Sequence, residues 1–156
     1  MKKELRVAAY AVCVREIDDA SEILLARWIN PDGGKRWTLP GGGMDHGEDP
    51  LATAVREVDE ETGYVVELVS LLGIHSINRQ YPRPHGEFAD FHGIQIVYEG
   101  RITTGELRNE ANGSTDLAAW HPLDDVAHLD RVGLVDAGIE LWRTRPPLGR
   151  ATDYLR

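Results

Sequence analysis

Apolar positions along the chain fall into two rhythms. Residues 5–15, "LRVAAYAVCVR", are rich in Val and Ala and read as a buried strand. The polar turn "REIDDASE" follows, and residues 22–28, "EILLARW", read as a second strand pairing with the first. "INPDGGK" is punctuated by Pro31, Gly33 and Gly34 and reads as a loop. "RWTLP" is a short strand stopped by Pro40, and three glycines come next.

The rhythm then changes. Asp49-Pro50 reads as a helix start, because Asp caps free N–H groups and Pro is tolerated at the first helical position. The helix should run to about Thr62, with Gly63 as its left-handed stop. "YVVELVSLLGIHSI" and "FHGIQIVYEGRI" read as strands separated by the loop "RQYPRPHGE". A polar connection, "TTGELRNEANGST", leads to a short strand, "DLAAWHP". "PLDDVAHL" reads as a short helix with Asp124 as a candidate cap, residues 132–143 as a longer one, and residues 146–156 as a loose tail. Strands, a helix, more strands, then helices predict an α/β (α+β) fold with a mixed sheet and helices on both faces. The 156 residues suit a single domain over 1–156.

At 100° per residue, Leu51, Val55 and Val58 share one face of the expected helix, with Ala54 and Thr62 beside them. That is its expected core face. Glu57, Glu60 and Glu61 gather on another. A like-charge pair four residues apart costs an isolated helix about 0.2–0.5 kcal/mol. Anions near a helix C-terminus each cost about 0.3–1 kcal/mol more. A wet surface tolerates both costs, and a hard divalent cation bound by the carboxylates would remove them. Glu48 could turn back as a further ligand or as a partner for Arg56.

Composition narrows the function. A net charge of -9 argues against a nucleic-acid surface or an anionic membrane as partner, without excluding a nucleotide held through a cation. The single cysteine, Cys13, rules out an internal disulfide or a zinc-thiolate cluster and reads as a core residue. The N-terminus shows neither a signal peptide nor a membrane span, so a cytoplasmic location is expected.

Gly42, five residues, Glu48, seven residues, then Arg56-Glu57-Val58-Asp59-Glu60-Glu61-Thr62-Gly63-Tyr64 resembles the signature of the Nudix hydrolases. Every fixed position matches; Tyr64 stands where the family usually has an aliphatic residue. The resemblance implies a Nudix-type α/β/α sandwich that cleaves the diphosphate bond of a nucleoside diphosphate linked to another group, or a nucleoside triphosphate to monophosphate and pyrophosphate. It implies Mg²⁺, or Mn²⁺ as the alternative ion, on Glu57, Glu60 and Glu61, with Glu48 and the Gly42 carbonyl as further ligands. Arg56 would orient the glutamates. Glu61 or Glu57 would serve as general base, with Glu87, Asp90 and Glu110 as alternatives. A small-molecule nucleotide is the implied partner, and a homodimer is an option the family offers. An alternative function is a non-catalytic nucleotide sensor, against which the retained glutamates count.

Substrate contacts lie outside the signature. Arg27, Arg36 and Arg79 are candidates for phosphates, and Trp37 and Tyr81 for a base. Trp28 and Phe88 are further aromatics, and His75, His85 and His92 could line a pocket mouth.

Overall fold

The computed structural model describes residues 1–152. Seven strands form one mixed sheet: β1 (Lys2–Ile17), β2 (Ala20–Ile29), β3 (Lys35–Thr38), β4 (Gly41–Gly43), β5 (Tyr64–Pro82), β6 (Phe88–Gly105) and β7 (Thr115–Pro122). The helices are α1 (Pro50–Thr62) and α2 (Gly133–Thr144). The main path runs β3-β2-β1-β6-β5, with β4 on β1 and β7 on β2. β1 lies parallel to β6 and antiparallel to β2 and β4.

Alternation along β1 decides what each face does. Ala11 and Cys13 point to one face, where they pack with Leu24 of β2, Val58 of α1 and Val66 of β5. Val12 points to the other, where it joins Ile23, Leu25, Leu39 and the α2 residues Leu134, Val135 and Leu141. The two helices therefore cover opposite faces of the sheet. Gly138 lets α2 come close, since a Cβ there would stand 2.7 Å from Leu39 Cδ1. Asp18 and Asp19 both take positive φ, 51° and 63°, as the two-residue turn between β1 and β2 requires.

Several expectations need correction. β1 is longer than 5–15 at both ends, and β5 runs on to Pro82, so Arg79, Gln80 and Tyr81 pair with β6 instead of lying in a loop. The glycines 41–43, given no element from sequence because their lack of side chains hides any alternation, form a strand whose backbone pairs with Ala8, Ala9 and Tyr10. The 3-10 helix Leu123–His128 has no side-chain cap, so Asp124 does not play that role. The tail is anchored through Ala151, which is buried, and through the Gly149 carbonyl, which accepts the Ile74 N–H at 2.8 Å. Residues 153–156 of the expected tail lie outside the described residues. Among the described residues no helix is long and apolar enough to cross a membrane.

Candidate active site

Helix α1 starts and stops by local chemistry. Asp49 Oδ1 accepts the Leu51 N–H at 2.8 Å, Pro50 opens the first turn, and Gly63 closes the helix at φ 81°. Arg108 secures the same end by donating to the carbonyls of Asp59 and Glu60 at 2.9 and 3.3 Å.

The buried face of α1 differs from the expected one. Val58, Ala54 and Thr62 are buried as expected, but so are Thr53 and Glu61. Leu51 and Val55 are exposed, at 49% and 37%. The helix lies against β1, β4 and β5, where Ala9, Ala11 and the β4 glycines leave room for a carboxylate. Thr62 meets its polar need within the helix, donating to the Val58 carbonyl at 2.6 Å.

Glu61 is therefore a core residue, 2% exposed, and its Oε2 accepts the Gly41 N–H at 3.3 Å. Burial holds its carboxyl well above the usual carboxylate range, and the adjacent Glu57 charge adds to the effect. Glu57 is also raised, by burial first, while Arg56 opposes the rise. The Glu57 charge beside the buried Glu61 carboxyl disfavours ionising both together, a cost that a cation between them would relieve. Gly42 makes the approach possible: a Cβ there would stand 2.8 Å from the Glu57 carboxyl carbon.

Arg56 draws the remaining acids together. Its Nε and Nη2 donate to the two oxygens of Glu48 at 2.8 and 2.9 Å. Its Nη1 reaches Glu57 at 3.0 Å and Glu60 at 3.3 Å. The Glu48 carboxyl falls to about 2, chiefly through the Arg56 bonds and then the Thr53 hydroxyl. The pairing with Arg56 expected of Glu48 is present. Glu60 leans toward Arg56 and is half-exposed. Among the described residues no three His, Cys, Asp or Glu side chains already stand as a metal cage. The donor chemistry nevertheless fits a hard cation. Two carboxyls are crowded into a low-dielectric corner, a third lies one helical position from Glu61, and all offer oxygen.

Glu61, Gly41 and Gly42 open onto a cleft of about 490 Å³. The sheet floors it in rows set by register: Ala8, Gln95 and His75; then Arg6, Gly93 and Ile77; then Phe91 beside Arg79. Trp28, Arg36 and Thr38 line its other wall. Arg36 and Arg79 thus reach the cleft, as does His75, whereas Arg27, Trp37, Tyr81, His85 and His92 are not among its lining residues.

Those outside it have structural partners. Arg27 forms a two-point pair with Asp116 at 2.9 and 3.0 Å. Trp37 packs edge-on to His121 and against the α2-side core. The Tyr81 hydroxyl donates to Glu4 at 2.6 Å. Of the alternative acids, Asp90 accepts from Asn78. Glu110 accepts the Thr115 N–H and hydroxyl, and its charge reaches Glu61. Arg6, Tyr10 and Gln95 escaped sequence reading; their only signal was alternation along β1 and β6, which reveals a shared floor once the register is known.

A family model described as the NUDIX domain matches residues 4–141. The chain belongs to the NUDIX family. It is 30% identical over 106 residues to an RNA pyrophosphohydrolase of Novosphingobium aromaticivorans, covering 68% of this chain and 65% of that protein. It spans 37%, 46% and 65% of the lengths of three curated relatives it matches. Its fold is similar to a NUDIX hydrolase from Nitrosomonas europaea, with TM-score 0.68, 23% identity, and coverage of 98% of this chain and 97% of that one. It is equally similar to the NUDIX domain of Shewanella oneidensis NrtR, solved with ADP ribose, with TM-score 0.68, 22% identity, and coverage of 91% and 88%. At these identities the structural likeness speaks for the NUDIX fold alone. The one unusual signature residue, Tyr64, has a structural partner: its hydroxyl accepts the Trp120 indole N–H at 3.0 Å.

Proposed function

We propose that this NUDIX protein is a divalent-metal-dependent hydrolase that cleaves the diphosphate linkage of a nucleotide derivative, with Mg²⁺ as the working ion and Mn²⁺ as its substitute. The observation that carries this reading is the buried Glu61 carboxyl, with the Glu57 charge beside it, lining an arginine-bearing cleft. Glu57, Glu60 and Glu61 would hold the metal, with Glu48 and the Gly42 carbonyl as further donors. A metal held there would supply neutralisation of charge growing on the phosphate oxygens and a more acidic attacking water.

The chain supplies the remaining steps. Arg56 positions Glu57 and Glu60 from one guanidinium, and the Gly41 N–H fixes the Glu61 carboxylate. Glu57 and Glu61, whose carboxyls burial raises above the usual range, are the candidates to accept the proton of the attacking water. Cleft arginines receive the anionic substrate from an otherwise acidic protein.

The test is turnover of a nucleotide panel with Mg²⁺: triphosphates, oxidised triphosphates, ADP-ribose, nucleotide sugars and dinucleotide polyphosphates, beside a Glu60→Gln variant. Metal-dependent products lost in the variant are expected. Tight nucleotide binding with no turnover on any member would instead support a nucleotide sensor.

A further inference from the structure

Gly42 and Gly43 are consecutive residues of β4, so their Cα hydrogens face opposite sides of the strand. On one side Glu57 lies against Gly42. On the other, the Arg6 guanidinium lies against Gly43, where a Cβ would stand 2.8 Å from Arg6 Cζ. One bare strand thus separates a carboxylate from a guanidinium. Arg6 is on the cleft face of β1, with Ala8 and Tyr10, and Tyr10 is close enough to feel the charges of both Glu61 and Arg6.

The partners of Arg6 are informative by their chemistry. Among the described residues no carboxylate pairs with it, although acids outnumber bases 26 to 17 in this chain. Among the described residues the other arginines lining the cleft are Arg36, loosely paired with Asp130 at 3.7 Å, and Arg79, which lies 5.6 Å over the Phe91 ring. An arginine seated on a glycine, facing a cleft and unmatched by any acid, is prepared for an external anion. Its planar fork fits two phosphate oxygens at once.

We propose that Arg6, seated on Gly43, binds the terminal phosphate of a nucleoside polyphosphate, and so makes Arg6 a specificity-determining residue for substrates that end in a free phosphate. A terminal phosphate carries more charge than one esterified on both sides and offers three oxygens to a guanidinium. A diphosphate capped by a sugar offers less to Arg6. This inference rests on the hydrolase reading for its kinetic form, and a binding measurement keeps it independent of turnover.

The experiment compares wild type with Arg6→Gln and Gly43→Ala on a nucleoside triphosphate and on ADP-ribose, both with Mg²⁺. Gly43 has no positive φ, so the alanine unseats the guanidinium without straining the backbone or removing the charge. Arg6→Gln should raise KM for the triphosphate on the order of tenfold or more, as expected for a lost charge-assisted pair, and leave kcat nearly unchanged. KM for ADP-ribose should move by less than about threefold, and Gly43→Ala should reproduce the pattern in weaker form. Equal effects on both substrates, or none, would overturn the proposal. Calorimetric titration with inorganic tripolyphosphate reads Arg6 even if nothing is hydrolysed. A Kd unchanged by Arg6→Gln overturns the phosphate site. Absent turnover with a weakened Kd would overturn the hydrolase reading and leave the site standing.

Discussion

Glu61 and Gly41 face each other across the join between α1 and β4, with the Gly41 N–H donating to Glu61 Oε2 at 3.3 Å. That single backbone bond is the main compensation for an almost fully buried carboxyl beside a second one. Glu61→Gln keeps the shape and removes the charge. Metal-free Glu61→Gln should melt about 2–4 °C above wild type for each kcal/mol of relieved strain. The stabilisation that wild type gains from added Mg²⁺ should be largely lost, and kcat should fall about a hundredfold or more. Melting with and without the ion checks both parts; a variant less stable than wild type without metal would contradict the buried-charge account.

Arg56 makes a fork to Glu48 and a shared contact to Glu57 and Glu60, which a lysine cannot copy. Arg56→Lys should keep the positive charge yet lower both melting temperature and kcat. Its Mg²⁺ requirement should shift to higher concentration, read from the half-saturating ion in turnover assays. Full activity in the lysine variant would show that charge alone suffices.

The Asp116 carboxyl is held down to about 2 by Arg27 and then Lys35, against an ordinary value of 3.8. A depressed folded value means that the unfolded chain binds the proton first. The contribution is complete above the unfolded value and is lost as pH falls from about 4 toward 2. Asp116→Asn should flatten that part of the stability profile, measured as urea midpoints against pH, and leave the neutral-pH slope alone. The pair lies at the surface, so the effect should be modest.

The two faces of α1 can be told apart by stability. Val58→Ala, at a fully buried position, should cost about 2 kcal/mol through lost burial and the cavity left behind. Leu51→Gln, at a half-exposed one, should stay within about 0.5 kcal/mol. Urea unfolding of both variants compares them directly.

Helix α1 was legible because its signals are local. Asp49, Pro50 and Gly63 act on their own neighbours, and each sits where its chemistry placed it. The buried face was misread because Leu51 and Val55 look like core by identity, whereas the small residues of β1 and the bare β4 admit Thr53 and Glu61 instead. The signature named the glutamates but not the cleft. Its floor joins positions from β1, β6 and β5, and only their register shows that Ala8, Gln95 and His75 stand in one row. Tyr81 and Trp37 illustrate the converse: aromatic side chains suited to stacking a base were taken up by neighbours within the fold.

The parallel pairing of β1 with β6 sets Lys2 beside Ala89 and Cys13 beside Gly100. A ribosome must therefore release the chain past Gly100 before β1 has that partner, while α1 and its caps need only their own segment. The acidic helix can form early, and the cleft beside it must wait for a contact distant in sequence, the kind that slows folding. During synthesis, the means of holding a cation would precede the means of choosing a substrate.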